Sequence, residues 1–157
     1  MVKEHKTVKE MWKKHLSTIG ENINGTGKTY ESWYFCNNEK AAHELAALVK
    51  RGKKKATASL HYLYEIENEP IPKVGDYIII TNWKGIAQCI IQITNIILLP
   101  FKDVTEEFAA KEGEGDKTLS FWRKVHRKFF TLELKEHNKE FSEDMLVVCE
   151  EFAVVYK

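Results

Sequence analysis

Between Ile86 and Pro100 the chain carries an almost continuous apolar stretch, IAQCIIQITNIILLP, that must be hidden from water. Gln88, Gln92, Thr94 and Asn95 interrupt it, and a membrane-spanning helix needs about 20 apolar residues in a row. Its isoleucines, and the proline that closes it, mark a long β-strand from about Ile86 to Leu99 instead. A strand leaves its backbone groups unpaired along both edges, so other strands must flank it.

Candidates lie on either side. Thr57 to Ile66, TASLHYLYEI, alternates and is rich in tyrosine, which reads as a strand. Pro70, Pro72 and Gly75-Asp76 punctuate a loop before a further strand, Tyr77 to Thr81, and a Trp-Lys-Gly turn leads on to Ile86. Leu146 to Tyr156 is a last strand pattern.

Helical spacing fills the rest. Val8, Met11, Trp12, Leu16 and Ile19 fit an amphipathic helix over Val2 to Ile19. A second begins at Asn38 with Ala41, Ala42, Leu45, Ala46, Leu48 and Val49 on one side; Lys50 and Arg51 suit the negative end of its dipole and Gly52 stops it. Asp103 or Thr105 caps a short helix that ends before Gly113, and a longer one runs from about Thr118 to Leu134. Strands, a helical insertion and a returning strand predict an α+β fold in one domain, with no repeat or linker.

The chain has 157 residues, 43% hydrophobic and 30% charged, which suffices for a core without metal or disulfide staples. A formal charge of +1 supplies no global field toward nucleic acid, so any such attraction must be local. Cys36, Cys89 and Cys149 are scattered and odd in number, which reads as reduced thiols. The charged start MVKEHKTVKEMWKKHL lacks the apolar centre of a signal peptide. A cytoplasmic protein with no membrane partner is the expectation.

Several short motifs carry residues suited to chemistry. GTGKT, Gly25 to Thr29, resembles part of a phosphate loop, but Asn22 stands where the first glycine belongs and a helix precedes it. Glu112, Glu114 and Asp116 alternate like the first ligands of a calcium loop, yet Lys117 and Arg123 occupy its obligatory glycine and glutamate positions. A looser divalent-ion site on those three acids is the disfavoured reading; solvated loop acids and no cofactor are favoured. The six histidines form no zinc spacing. His126 shares a helix face with Trp122 and Arg123, which makes it a packing residue or a ligand-facing one. Lys50 to Lys55, KRGKKK, is the densest basic run and joins a helix to the strand that carries Thr57 and Ser59 on one face. A lysine folded over that face into a partly apolar pocket would lose proton affinity and serve as nucleophile or base.

Gly52-Lys53-Lys54-Lys55-Ala56-Thr57 resembles the G-x-K-x-x-T signature of ASCH domains, which are similar in fold to the PUA RNA-binding barrel. Trp33 with Phe35, LVKRGKKKATASL, Val74-Gly75-Asp76, PFKDVTEEFAAKEGEGDKTLSFWRKVHRKFF and VVCEEFAVVY together resemble one bacterial ASCH subfamily. The likeness covers residues 30–157, the expected ASCH domain; residues 1–29, a helix and loop packed on it, lie outside. It implies a PUA-like small β-barrel flanked by helices, with a cleft in which a motif lysine, threonine and glutamate act together. One such family member is an amidohydrolase of acetylated cytidine, and ribonuclease activity has been proposed for members nearer this subfamily. Carried over by motif, the catalytic residues are Lys54, Thr57 and Glu112. Two departures stand out: Cys36 replaces an expected glycine, and Lys55 replaces the usual threonine and adds charge.

The implied function is a hydrolase directed at RNA or a modified nucleoside, with a non-catalytic RNA- or nucleotide-binding module as the alternative. Lys53, Lys55, Ser59, Trp33, Arg123 and His126 are the substrate-binding candidates, the lysines toward phosphate and Trp33, Tyr62 or Trp122 toward a base. Glu112, at a helix C-terminus, is expected to have its pKa raised by the dipole.

Overall fold

In a computed structural model, which describes residues 3–157, the chain forms helices α1 (Lys6–Thr18), α2 (Glu39–Lys50), α3 (His61–Glu67), α4 (Glu106–Glu112) and α5 (Leu119–Lys135). The strands are β1 (Tyr30–Trp33), β2 (Ala56–Leu60), β3 (Tyr77–Thr81), β4 (Ala87–Pro100) and β5 (Leu146–Tyr156). They make one mixed sheet in the order β1-β3-β4-β5-β2, so the fold is α+β. β1 and β2 stand at its two ends, and the barrel closure expected from the resemblance is not seen among the described residues. No helix among those residues is long and apolar enough to cross a membrane.

The chain divides into two compact units, and β4 and β5 run through both. The first holds the chain up to Gly52, Val74–Ile93 and Phe152–Lys157. Here α1 buries Val8, Trp12 and Leu16 with Ile79 of β3 and Ile90 of β4, as its amphipathic spacing requires. The expected start of that helix at Val2 lies outside the described residues. Asn38 caps α2 by accepting from the Ala41 amide at 2.8 Å. β1 pairs in parallel with β3, Tyr30 opposite Tyr77 and Trp33 opposite Ile80, while β3 and β4 are antiparallel with a bulge after Ile80. Sequence patterning missed β1, which has four residues and a parallel partner far along the chain.

The second unit comprises Lys53–Lys73 and Thr94–Glu151. β2 runs antiparallel to β5, and Ala56, Leu60, Val147 and Cys149 face a core with Phe101, Phe108, Ala109, Trp122, Phe130 and Leu134 from the helical segment. Each of the leucine, valine and phenylalanine side chains among them contributes on the order of 1.5–3 kcal/mol through burial. Thr105 caps α4 and Thr118 caps α5, each accepting from the amide three residues on at 3.1 Å.

One expected element is corrected. The strand from Thr57 ends at Leu60, and HYLYEIE is α3. Consecutive Tyr62 and Leu63 both pack against the core, which a strand would forbid because neighbours point to opposite faces. The His61 ring bonds Glu65 one turn on at 2.7 Å, and Asn68, left-handed at φ 54°, ends the helix.

Candidate functional site

The site lies within the second unit and begins with a backbone contact. α4 stops at Gly113, whose φ of 68° is the left-handed cap that glycine adopts without strain. A Cβ there would fall 2.2 Å from the Lys53 carbonyl oxygen, so only glycine lets the segment before β2 lie this close. The Lys55 amide donates to the Lys111 carbonyl at 2.7 Å, which holds that segment against the end of α4. Between these two contacts the Lys54 side chain turns inward.

Lys54 Nζ donates to Glu112 Oε1 and to Glu114 Oε2, each at 2.9 Å. The Lys54 and Glu112 side chains are 1% and 2% exposed, and that of Glu114 is 21% exposed. The other Glu112 oxygen accepts from the Trp122 indole N–H and faces His126 Nε2 at 3.3 Å. His126 stacks on Trp122 with ring centroids 4.2 Å apart, and its Nδ1 lies 2.9 Å from the Trp122 carbonyl oxygen. The glutamate carboxylate thus has a cation, an indole and an imidazole around it, as a buried charge requires.

These partners settle the proton affinities, and two expectations are corrected. Burial alone would lower the Lys54 pKa, but the charges of Glu112 and Glu114 outweigh it, so the pKa is raised and the ammonium persists. Burial would raise Glu112; Lys54 foremost, then His126 and the two hydrogen bonds, hold it below the usual carboxylate range. The dipole of a seven-residue helix is a minor influence beside a cation at 2.9 Å. Glu114 moves the other way: burial pushes it up, Lys54 pulls it down, and the neighbouring Glu112 adds to the rise.

Glu112, Glu114 and His126 offer ligand atoms within 4.8 Å of one another. Lys54, bonded to both carboxylates, already supplies the positive charge a metal would bring, so the group reads as an ion-pair cluster. Asp116, the third acid of that loop, accepts from the Thr118 amide and hydroxyl at 2.9 and 2.6 Å and belongs to the start of α5.

Of the sequence candidates, the structure brings together Lys54, Glu112 and His126, and leaves Lys53 and Lys55 exposed on either side of Lys54. Thr57 and Ser59 alternate with Ala56, Ala58 and Leu60, so they face away from the core that holds Trp122. Thr57 pairs with the buried Glu150 across the sheet, and the Ser59 hydroxyl bonds the Tyr64 hydroxyl at 2.9 Å. Arg123 donates to the Lys102 carbonyl at 2.9 Å. Trp33 lies in the first unit, edge-on to Phe35 with centroids 4.9 Å apart. Sequence reasoning passed over Glu114 as a catalytic candidate, although the two glycines that flank it were a readable signal.

The family model described as ASCH domain matches residues 31–156. The crystal structure of an ASCH domain from Lactobacillus crispatus JV V101 is 40% identical, with 98% of this chain and 97% of that chain covered at a TM-score of 0.91. A protein from Enterococcus faecalis V583 is 33% identical over 96% of this chain and 89% of that chain, with a TM-score of 0.87. A hypothetical protein 24% identical, matching at a TM-score of 0.54 over 80% of this chain and 99% of that chain, shares the fold alone. No curated protein matches. The chain belongs to the ASCH domain family.

Proposed function

We propose that this ASCH domain protein is a hydrolase acting on RNA or a modified nucleoside, with the Lys54–Glu112 pair as its charged centre. The observation that carries this reading is a lysine and a glutamate 58 residues apart, both buried and bonded at 2.9 Å. Such a pair is a poor device for stability, because a well-packed apolar replacement is often neutral or better. Its maintenance by two neighbouring glycines, an indole and an imidazole therefore argues for use.

Lys54 in this reading is an electrophile. A persistent ammonium in a site of low dielectric stabilises negative charge that develops on a carbonyl or phosphoryl oxygen. Lys53 and Lys55, both exposed beside it, suit phosphate groups of the substrate. Thr57 enters the reading by motif alone, and Thr57→Val tests whether its hydroxyl takes part. The exposed lysines equally suit the alternative, a non-catalytic RNA- or nucleotide-binding module.

The experiment is a turnover screen of modified nucleosides and short RNAs with wild type, Lys54→Met and a Lys53→Ala/Lys55→Ala variant. The hydrolase reading expects turnover by wild type and a loss of roughly 100-fold or more in Lys54→Met, typical of removing one oxyanion donor. Binding without turnover, weakened by about 0.7 log units per phosphate contact for each tenfold rise in salt, establishes the binding module instead. Neither binding nor turnover of any member overturns both.

A further inference from the structure

We propose that Glu114 is the proton carrier of this site, a fixed general acid and base on the solvent side of the Lys54–Glu112 pair. The inference rests on the hydrolase reading above and names the group that would move its proton.

Position comes first. Of the groups joined at the site, Lys54, Glu112 and His126 have side chains 1%, 2% and 11% exposed, while Glu114 is 21% exposed. It is therefore the one most open to an incoming substrate or water, and it is bonded at 2.9 Å to the ammonium that would face the reacting oxygen.

Anchoring comes second. Gly113 and Gly115 flank Glu114 with φ of 68° and 57°. A Cβ on Gly113 would lie 2.2 Å from the Lys53 carbonyl oxygen, and one on Gly115 would lie 2.3 Å from Cζ of Phe121. Both neighbours are thus pressed against other parts of the unit, which fixes the backbone that carries this carboxylate. A solvated loop acid needs no such support, whereas a catalytic group must be held in place.

Charge comes third. Lys54 and Glu112 neutralise one another, so a second carboxylate in the same desolvated cluster gains by taking a proton. Two carboxylates whose affinities are driven apart, Glu112 down and Glu114 up, make the arrangement from which acid and base roles are assigned. The charged and titratable groups facing Glu114 are Lys54 from the segment before β2, Glu112 from α4 and His126 from α5.

The proton then has a closed route. As the oxygen of water, or of a ribose hydroxyl, bonds to the carbonyl carbon or the phosphorus, its proton passes to the Glu114 carboxylate. The negative charge that develops faces Lys54. The same proton moves to the departing nitrogen or oxygen as its bond to carbon or phosphorus breaks, and Glu114 ends as it began.

The test combines NMR titration of carboxyl carbons in the substrate-free protein with pH–rate profiles of wild type and Glu114→Gln on a substrate found in the screen. The expected titration shows a carboxyl above the usual glutamate range that disappears in Glu114→Gln, with folding verified by circular dichroism. The expected kinetics show kcat/KM falling as pH drops through that value, and about 10²–10⁴-fold lost in Glu114→Gln together with that acidic limb. A Glu114 that titrates as an ordinary glutamate, or a Glu114→Gln enzyme that keeps the limb, overturns the inference. Absence of any turnover by wild type overturns the hydrolase reading and the catalytic role with it, whereas turnover with an unchanged limb overturns Glu114 alone.

Discussion

Replacing Gly113 by alanine tests whether the site is built by a backbone contact. Two costs add. A non-glycine residue at φ 68° is left-handed, worth about 1–2 kcal/mol. The new methyl would also lie 2.2 Å from the Lys53 carbonyl oxygen, 2.8 Å from its carbon and 3.2 Å from the Lys54 Cα. Relief requires backbone movement, and crowding of this kind costs about 1–3 kcal/mol. Alanine restricts the unfolded chain, which returns about 0.4–1 kcal/mol. The net expectation is roughly 1–4.6 kcal/mol, a fall in Tm of roughly 2–18 °C for a chain of this size. Gly52 is the internal control: its φ is 76°, but a Cβ there meets nothing within 4 Å. Gly52→Ala should therefore show the left-handed cost alone, at most about 1.5 kcal/mol after the same offset. Urea unfolding of both variants gives the comparison, and the indole N–H signal of Trp122, which reports its bond to Glu112, should move only in Gly113→Ala. If Gly113→Ala is no more destabilising than Gly52→Ala, the close approach is not what positions Lys54.

The buried pair should show strong coupling: Lys54→Met is expected to cost about 3–5 kcal/mol by stranding Glu112, Glu112→Gln less because Glu114 still pairs with Lys54, and the double variant less than the sum. Additive effects in chemical denaturation would mean the two charges do not depend on one another. Glu133 on α5 has its pKa pushed up to about 7, by burial first and then by Glu136 and Glu67. A raised folded-state value means its contribution is fully present below the unfolded glutamate range and is lost as pH rises through about 7. Glu133→Gln should therefore raise Tm at pH 8 relative to wild type by more than it does at pH 4, and equal shifts at both would refute this. Cys36 holds a φ of 64°, so the glycine that the family pattern expects there should be tolerated or stabilising by up to about 1 kcal/mol, read by the same unfolding assay.

The elements legible in the sequence are those whose signal is local. β5 was bounded at both ends by its own pattern, the start of α5 was read at about Thr118, and Thr105 was one of two caps offered for α4 beside Asp103. α3 was misread because tyrosines and an alternating stretch favour strands on average, whereas Tyr62 and Leu63 are both drawn to one core. That core is assembled from Phe101, Trp122 and Phe130, tens of residues downstream, and no window around α3 contains them. The same limit governs the site. The motif lysine and the glutamate after A-x-x were named by resemblance; the lysine is buried, but toward Glu112 and Trp122 and not over the face that carries Thr57 and Ser59. The direction of its pKa was not legible, since the sign depends on how many carboxylates reach a buried ammonium. With none, desolvation wins and the lysine becomes a base; with two at 2.9 Å, attraction wins and it stays a cation. The second carboxylate is set by a glycine pressed on the Lys53 carbonyl, a contact between parts of the chain about sixty residues apart. In the proposed mechanism the proton-carrying role expected of Lys54 falls instead to Glu114, the more exposed of the two carboxylates and the one whose proton affinity is raised.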